Sequence, residues 1–193
     1  MATNDVGILL FGGRRTPRSL RGLPGISPEE VTDFRRVIVV GADADLASVL
    51  KRLLRADRLD IEVAHVRRPW RAGRALSGRA TRVPLIRDET GSVIVGAAVW
   101  VGADSALIGE AVVDDTVLFD GEVAGVRVEP IADQPGLRAT VLSRRMRPGR
   151  WVTGRAAQLG TPGALVVRDG EPSTRAVKRS TFYRHTQGWL AVR

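Results

Sequence analysis

Cysteine is absent from this chain of 193 residues, and several other residue types are scarce. Without cysteine the chain has neither a disulfide framework nor thiolate chemistry. Only two histidines are present, His65 and His185, and they do not form an HExxH motif, which argues against a zinc hydrolase. A Walker P-loop, a G-x-G-x-x-G fingerprint and a G-x-S-x-G nucleophile motif are also missing.

Long apolar runs are lacking as well. No run approaches 18 residues, so we expect no transmembrane helix. The first residues lack the basic, apolar and small-residue series of a secretory signal. We therefore expect a cytoplasmic protein, either free or attached to the periphery of a membrane. The apolar fraction of 44% is sufficient for one domain or two small ones.

Lysine is nearly absent, although the chain is strongly basic. The net charge is +9, and 28 of the 30 basic residues are arginine. Such a surface favours phosphorylated small molecules, anionic lipid or nucleic acid as partners, because the planar guanidinium binds phosphate in a bidentate manner. A codon bias toward arginine would give the same composition, and both interpretations stay open.

The stretch 37–54 carries the strongest local pattern. Val37 to Val40 form a continuous apolar run that predicts a strand covered on both faces. Gly41 follows, and then apolar residues recur at helical spacing, with Asp43 or Asp45 as the expected N-cap. Helix N-termini of this kind receive phosphates, although an ordinary βα unit is the simpler interpretation. The apolar helix positions are Leu46, Val49, Leu50, Leu53 and Leu54.

Two further strands are predicted in the first half, at residues 6–11 and 59–64. Gly12-Gly13 closes the first. Ser27 and Glu30 form a capping box that predicts a short helix beginning at Pro28. Residues 67–82 predict a basic loop or short helix. Strands separated by helices indicate parallel pairing.

From residue 83 the pattern changes to short apolar runs that are separated by turn residues. Asp88–Gly91 and Asp120-Gly121 predict hairpin turns. We therefore predict a nucleotide-binding-like α/β domain at 1–82, followed by an antiparallel β-sandwich-like domain at 83–193. The candidate strands are 83–87, 92–101, 107–112, 116–119, 123–128, 137–142, 151–154, 164–168 and 188–193.

Two basic segments in this half have alternative interpretations. Arg168 to Arg184 surround Thr181-Phe182-Tyr183, which is the composition of a surface for single-stranded nucleic acid. The same pattern fits a basic edge strand whose aromatic side chains face the core. A second basic loop, 144–150, has four arginines around Pro148-Gly149.

The order of these features resembles the superfamily of diacylglycerol, sphingosine and NAD kinases. Its hallmark is Gly-Gly-Asp-Gly-Thr-Leu after a buried strand, where this chain has Gly41-Ala42-Asp43-Ala44-Asp45-Leu46. Gly41, Asp43 and Leu46 match. A late Asp-Gly-Glu, characteristic of the lipid kinases, is present at residues 169–171. The family's nucleotide-contacting segment corresponds most nearly to 63–76, which contains Arg71 and Arg74.

The resemblance implies ATP and Mg²⁺ as cofactors if the protein is active. Gly41, Asp43, Asp45, Arg71 and Arg74 would then bind the cofactor, and Asp43 and Asp169 would lie near the metal. Glu171, assisted by Asp169, would remove the proton from an acceptor hydroxyl.

Departures from the hallmark point to a degenerate member. The Cβ atoms of Ala42 and Ala44 crowd a phosphate, and Asp45 adds negative charge where a polyphosphate would sit. We therefore expect a pseudoenzyme-like protein that binds a phosphorylated ligand, nucleotide or anionic lipid, with homo-oligomers as an option. The alternative is a non-enzymatic module that binds nucleic acid or an anionic membrane.

Overall fold

The computed structural model describes residues 4–68, 70, 72–103 and 106–193. They form two compact units, one made of residues up to Val83 together with Gln187–Arg193 and the other of Pro84–Thr186. The sequence division at residue 83 assigned the last residues to the β half, whereas the structure groups them with the first unit. None of the described helices has the length and apolarity required to cross a bilayer.

The first unit contains a mixed sheet that, in the described residues, has five strands. Its order is β1-β2-β3-β16-β4, in which the first four strands are parallel and β4 is antiparallel to β16. Because β1, β2 and β3 are parallel, their carboxyl ends meet at one edge of the sheet. The strands are β1 (Asn4–Leu10), β2 (Phe34–Val40), β3 (Glu62–Val66), β4 (Ala80–Val83) and β16 (Trp189–Val192).

Two α-helices, α1 (Asp43–Arg55) and α2 (Gly73–Ser77), accompany this sheet. α1 buries Leu46, Val49, Leu50 and Leu53, as the spacing predicts, while Leu54 is half-buried. A separate apolar cluster joins β2 and β3 to α2 and to the short 3-10 helix Arg18–Leu20. β2 is therefore buried on both faces, which explains its continuous apolar run.

The predicted helix after Ser27 is a 3-10 helix, Pro28–Asp33. The Glu30 carboxylate accepts the Ser27 N–H at 2.8 Å, and the Glu30 N–H donates to the Ser27 carbonyl at 3.1 Å. The i to i+3 bond is the hydrogen bond of a 3-10 turn. The predicted short helix and its capping residues are therefore confirmed, and the structure adds that the helix is of the 3-10 type.

In the second unit the described strands form one antiparallel sheet of eleven. The principal order is β12-β11-β10-β7-β13-β15-β5-β6; β8 and β14 pair with β13, and β9 pairs with β8. The strands are β5 (Ile86–Asp88), β6 (Val93–Ile94), β7 (Ala98–Gly102), β8 (Leu107–Val113), β9 (Thr116–Val123), β10 (Gly125–Pro130), β11 (Leu137–Leu142), β12 (Val152–Gly154), β13 (Ala156–Arg168), β14 (Glu171–Pro172) and β15 (Val177–Arg184).

Strand β13 pairs with two different strands along its length. Its first residues, 156–160, pair with β8, and its last residues, 164–168, pair with β7, with an irregularity between them. Trp100 and Phe182 lie in the core with ring centroids 5.7 Å apart, and the Trp100 indole N–H donates to Ser180 Oγ at 3.0 Å. The predicted fold class, an α/β half followed by an antiparallel β half, is confirmed.

Several strand predictions in the second half were wrong in detail. The predicted strand 83–87 is two strands, interrupted at Pro84, which has no N–H for a sheet hydrogen bond. Asp120-Gly121 lies inside β9, opposite Glu110 and Gly109, and does not form a turn. The turn after Asp88 is confirmed, because the Asp88 carboxylate accepts the N–H groups of Thr90 and Ser92 at 2.9 and 2.8 Å.

Candidate functional site

The turn between β2 and α1 is closed by one carboxylate. Asp45 Oδ2 accepts the Ala42 N–H at 2.7 Å, and a Cβ atom added to Gly41 would collide with the Asp45 side chain. Ala42, which has no capping side-chain oxygen, occupies the N-cap position. The prediction that Asp43 or Asp45 is the N-cap was therefore wrong: Asp45 satisfies the turn from the third helical position.

Asp43, the first residue of α1, is directed toward the end of β3. Its carboxylate lies 3.4 Å from Arg67 Nη1 and 3.8 Å from His65 Nδ1. His65 Nε2 lies 3.2 Å from the Gly41 carbonyl oxygen. Burial lowers the pKa of His65 below its ordinary value, although the Gly41 hydrogen bond and Asp43 raise it. At neutral pH the imidazole is therefore neutral and donates from Nε2 to Gly41.

The end of β1 reaches the same edge through a glycine turn. Gly12 and Gly13 have φ values of +62° and +66°, and no other atoms crowd the space that a Cβ would fill at either residue. Arg14 follows, and its guanidinium donates to the Arg67 carbonyl at 3.1 Å. We call residues 12–14, 41–45 and 65–67 the carboxyl edge. Ligands of open α/β sheets bind beyond such strand ends.

The two predicted arginines of the nucleotide-contacting segment have different outcomes. Arg71 lies outside the described residues. Arg74 lies on α2, and its side chain is exposed, whereas the neighbouring Ala75 is buried against the sheet. The contact of Arg14 with Arg67 was not predicted from the sequence. The two residues are 53 positions apart and lie in two different irregular segments, which leave no periodic signal.

Asp169 is the second acidic residue of interest and belongs to the second unit. Its carboxylate accepts three successive backbone N–H groups, those of Val95, Gly96 and Ala97, at 3.0, 2.7 and 2.9 Å. Residues 95–97 consequently separate β6 from β7, although a single strand was predicted there. Glu171 begins β14 and is exposed. Asp169 thus organises a loop, and backbone donors of this kind cannot be predicted from side-chain motifs.

Metal ligands were predicted at Asp43 and Asp169. Among the residues that the structure describes, no group of three or more His, Cys, Asp or Glu side chains could hold a metal ion. Asp43 and Asp169 belong to different units. The Asp43 carboxylate lies near the Arg67 guanidinium and the His65 imidazole. The Asp169 carboxylate accepts backbone N–H groups.

The basic and aromatic segment near residue 182 contributes Phe182 to the second unit's core, while Lys178 and Arg179 are exposed. Phe182 is fully buried, and Arg168 pairs with the fully buried carboxylate of Asp88 at 2.6 Å. Arg87 covers the Tyr183 ring at 4.9 Å from its centroid. The segment forms β15, which pairs with β13 on one side and β5 on the other, and is therefore not an edge strand. Phe182 faces the core, as the second interpretation predicted.

Comparison of the whole chain with solved structures gives two informative similarities. An NAD kinase from Archaeoglobus fulgidus in complex with ATP superposes with a TM-score of 0.65 at 12% identity, over 98% of this chain and 93% of that one. A diacylglycerol kinase from Bacillus anthracis str. Sterne superposes with a TM-score of 0.74 at 12% identity, over 98% and 96%. The chain has the NAD kinase and diacylglycerol kinase fold. No protein-family model and no curated protein matches the sequence.

The resemblance inferred from Gly41, Asp43 and Leu46 is thus confirmed at the level of the fold. At 12% identity the similarity concerns the fold alone. Within that fold, the Gly41–Asp45 turn lies at the carboxyl end of a central parallel strand. In this turn the Asp45 carboxylate is directed at the backbone of its own turn.

Proposed function

We propose that this chain is a degenerate relative of the lipid and NAD kinases that binds a phosphorylated small molecule or nucleotide at the carboxyl edge. In this proposal it has little or no phosphotransferase activity. The fold supports the family relationship, and the contacts within the carboxyl edge support the loss of activity. The ligand class follows from the arginines and the open glycine turn.

The observation that carries the proposed loss of activity is the position of Asp45. Its carboxylate already accepts the Ala42 N–H, one of the amides that a phosphate oxygen would use at a helix N-terminus. A polyphosphate approaching this turn would meet a negative charge and would have to displace an existing hydrogen bond. Both effects oppose binding, and together they disfavour a phosphate at residues 41–45.

The neighbouring glycine turn is better suited to a phosphate. The backbone at Gly12 and Gly13 is uncrowded, and the next residue, Arg14, is exposed. Arg67 is also largely exposed, with its carbonyl bonded to Arg14. Arg14 Nη1 donates to the Arg67 carbonyl and Arg67 Nη1 lies 3.4 Å from the Asp43 carboxylate, so a phosphate would use the remaining N–H groups of these two exposed guanidiniums. We therefore infer that the ligand's phosphate contacts residues 12–14 and Arg67.

ATP with Mg²⁺ does not fit the carboxyl edge as the described residues arrange it. Asp43 lies against Arg67 and His65, and Asp45 bonds to its own turn. We therefore derive no phosphoryl transfer from these residues. The predicted role of Asp169 in catalysis is less well supported than a structural one, because three amides hold its carboxylate. Glu171, which is exposed, remains a prediction as general base.

Isothermal titration with ADP, with ATP and with inorganic pyrophosphate, each with and without Mg²⁺, tests the proposal. We expect saturable binding that Mg²⁺ does not strengthen. Arg14→Gln and Arg67→Gln should each weaken it about fivefold to tenfold, the effect of one lost charge-assisted hydrogen bond. The matched control is Arg21→Gln, an exposed arginine of the same loop. Its affinity should stay within about twofold of the wild type, a difference of less than 0.5 kcal/mol.

Two results would contradict the proposal. One is nucleotide binding that neither Arg14→Gln nor Arg67→Gln alters. The other is ATP-dependent phosphorylation of a hydroxyl acceptor at an ordinary kinase rate, roughly 1–100 per second, measured as ADP formation with diacylglycerol or NAD offered as acceptor.

A second candidate function, binding to nucleic acid or an anionic membrane, is favoured by one residue. Trp70 is 73% exposed, and the Arg68 guanidinium lies 5.5 Å from its ring centroid. An exposed indole beside arginine suits base stacking and also suits a membrane interface. A short RNA and anionic vesicles titrated at two salt concentrations separate this candidate from the first, since phosphate-backbone binding weakens steeply with salt. Loss of binding on Trp70→Ala would support it.

A further inference from the structure

The second unit contains a groove that the proposed function does not use. It lies between β9 and β12, each of which pairs with a single strand among the described residues. At one end the two edges are joined, because the Asp114 carboxylate accepts the N–H groups of Arg155 and Ala156 at about 3.0 Å. Beyond that junction a groove of about 460 Å³ separates residues 116–118 from 150–153.

The lining of this groove combines apolar side chains with polar surface. Val117, Leu118 and Val141 line it together with Trp151 and Thr153. Val117, on the β9 side of the groove, is 57% exposed. A volume of this size is within the range of small-molecule sites, which combine an apolar lining with a few polar groups.

The charge of the groove is positive. Arg150 lines it, and its described lining residues include no acidic side chain. The Arg138 guanidinium, which does not line the groove, lies 4.2 Å from the centroid of the Trp151 ring. Arg138 itself is held by Glu129, at 2.6 and 2.9 Å, and Glu129 also accepts from Arg127 at 2.6 Å. Two arginines and one glutamate leave one net positive charge, and Arg138 holds the Trp151 ring by a cation–π contact.

We propose that this groove binds a small organic anion with a flat apolar body. The body would lie on Trp151, Val117 and Val141, and the anionic group would pair with Arg150. A neutral ligand would leave Arg150 uncompensated at the groove, and an inorganic anion would leave the apolar walls exposed to water. The combination therefore selects a molecule that has both properties. This site is independent of the carboxyl edge and of the function proposed there.

Two dyes of matched shape test the inference. The anionic probe is 8-anilinonaphthalene-1-sulfonate, and its uncharged counterpart is N-phenyl-1-naphthylamine. We expect the anionic dye to bind saturably at one site per chain. The fluorescence of the dye measures this binding. Arg150→Gln should weaken the anionic dye at least fivefold and leave the neutral dye unchanged. Trp151→Leu should weaken both dyes.

Matched controls separate this site from general basicity. Arg145→Gln removes the same charge from the exposed loop 143–150 at a residue that does not line the groove, and it should leave both dyes unaffected. If Trp151→Leu unfolds the chain, Val117→Asp supplies a second variant, because the exposed Val117 tolerates a polar group and the new carboxylate should repel the anionic dye. Its thermal unfolding midpoint should stay near that of the wild type.

Four results would overturn the proposal. The first is the absence of saturable binding of the anionic dye. The second is an equal loss of affinity in Arg150→Gln and Arg145→Gln, which would assign the charge effect to a diffuse basic surface. The third is unchanged binding of both dyes in the folded Val117→Asp and Trp151→Leu variants. The fourth is displacement of the dye by a short single-stranded oligonucleotide that Arg150→Gln and Arg145→Gln weaken equally. This result would indicate a surface for polyanions in place of a small-molecule site.

Discussion

At the scale of single residues, the same type of carboxylate has two structural uses in this chain. Asp45 closes the turn that begins α1, and Asp169 holds the loop between β6 and β7 through three amides. Both were candidates for cofactor binding or catalysis in the sequence. Each makes hydrogen bonds that would have to be broken before it could serve a ligand, and this cost can be measured.

The first prediction concerns Asp45. Asp45→Ala removes the acceptor of the Ala42 N–H and should lower the free energy of unfolding by about 1 kcal/mol, the usual value of an N-terminal cap. The control is Asp33→Ala, which removes an exposed carboxylate. In the Asp45→Ala background, Gly41→Ala should cost less than it does in the wild type, because the carboxylate, which holds the nearest colliding atom, is gone and only the Cβ of residue 45, at 2.8 Å, remains. Additive effects in urea denaturation would contradict this interpretation of the turn.

The second prediction separates Asp169 from Glu171. Asp169→Asn keeps a residue that tolerates the observed φ of +49° but replaces one acceptor oxygen by a donor that faces backbone N–H groups. We expect a loss of about 3 kcal/mol in the free energy of unfolding. Glu171→Gln, at an exposed position, should change it by less than about 0.5 kcal/mol. Equal stabilities of the two variants in chemical denaturation would show that the amide contacts of Asp169 contribute little.

At the scale of secondary-structure elements, short-range patterns predicted the βα unit and longer-range contacts determined the rest. β2, the glycine turn and α1 follow from an apolar run and helical spacing, which depend only on neighbours in sequence. β15 was predicted only in one of two interpretations, and there as an edge strand, because its buried positions include Ser180, a polar residue that accepts a hydrogen bond from the distant Trp100. Asp120-Gly121 has the composition of a turn, yet pairing with β8 continues the strand through it.

Arg36 supplies the third prediction. Its nearly buried guanidinium bonds to Glu62 at 2.6 Å and to the carbonyls of Ala75, Leu76 and Gly78 at the end of α2. Arg36→Met should lower the free energy of unfolding by about 3 kcal/mol and speed amide exchange at residues 73–79. Arg35→Met is the control, since Arg35 pairs with Glu62 from a half-exposed position, and should cost less than about 1 kcal/mol.

The contrary outcome for this pair of variants is a similar loss of stability in both, with amide exchange in α2 unchanged. It would mean that the packing of Ala75 alone holds α2 on the sheet, and that the buried guanidinium contributes no more than a surface ion pair.

The fourth prediction is a pH dependence that arises between β10 and β11. Burial alone would raise the pKa of Glu129, but its bonds to Arg138 and Arg127 outweigh burial and hold the pKa below its ordinary value of 4.5. Because the folded-state pKa is the lower one, the stabilisation is complete above about pH 4.5 and is lost as the pH falls through the folded-state pKa. Glu129→Gln should therefore flatten the fall in stability below that pH. If Glu129→Gln had the same dependence of unfolding free energy on acidic pH as the wild type, this prediction would be contradicted.

At the scale of the whole molecule, the chain returns to its first unit at its last strand. β16 lies between β3 and β4, so the first sheet needs residues from both ends of the sequence. The sequence predicted the strand at 188–193 but assigned it to the wrong unit, because pairing partners more than a hundred residues apart leave no local signal. The two-part architecture itself follows from the change of pattern near residue 83 and is visible in the sequence.

The candidate site was only partly predictable for the same reason. Gly41, Asp43 and Asp45 follow a recognisable strand, and their clustering at a strand end was expected. That Asp45 faces its own turn, and that Arg14 meets Arg67, depends on side-chain directions set by the packing of three separate strands. The proposed function therefore depends on which residues of the carboxyl edge bind a phosphate group.

The most direct test is to record the backbone amide resonances of ¹⁵N-labelled protein by NMR during titration with inorganic pyrophosphate and then with ADP. The account predicts that the amides of Gly12, Gly13 and Arg14 shift with saturation, while those of Ala42, Asp43 and Ala44 move little. Large, saturating shifts at residues 42–44 without comparable shifts at residues 12–14 would contradict it, because they would place the phosphate on the turn that Asp45 closes.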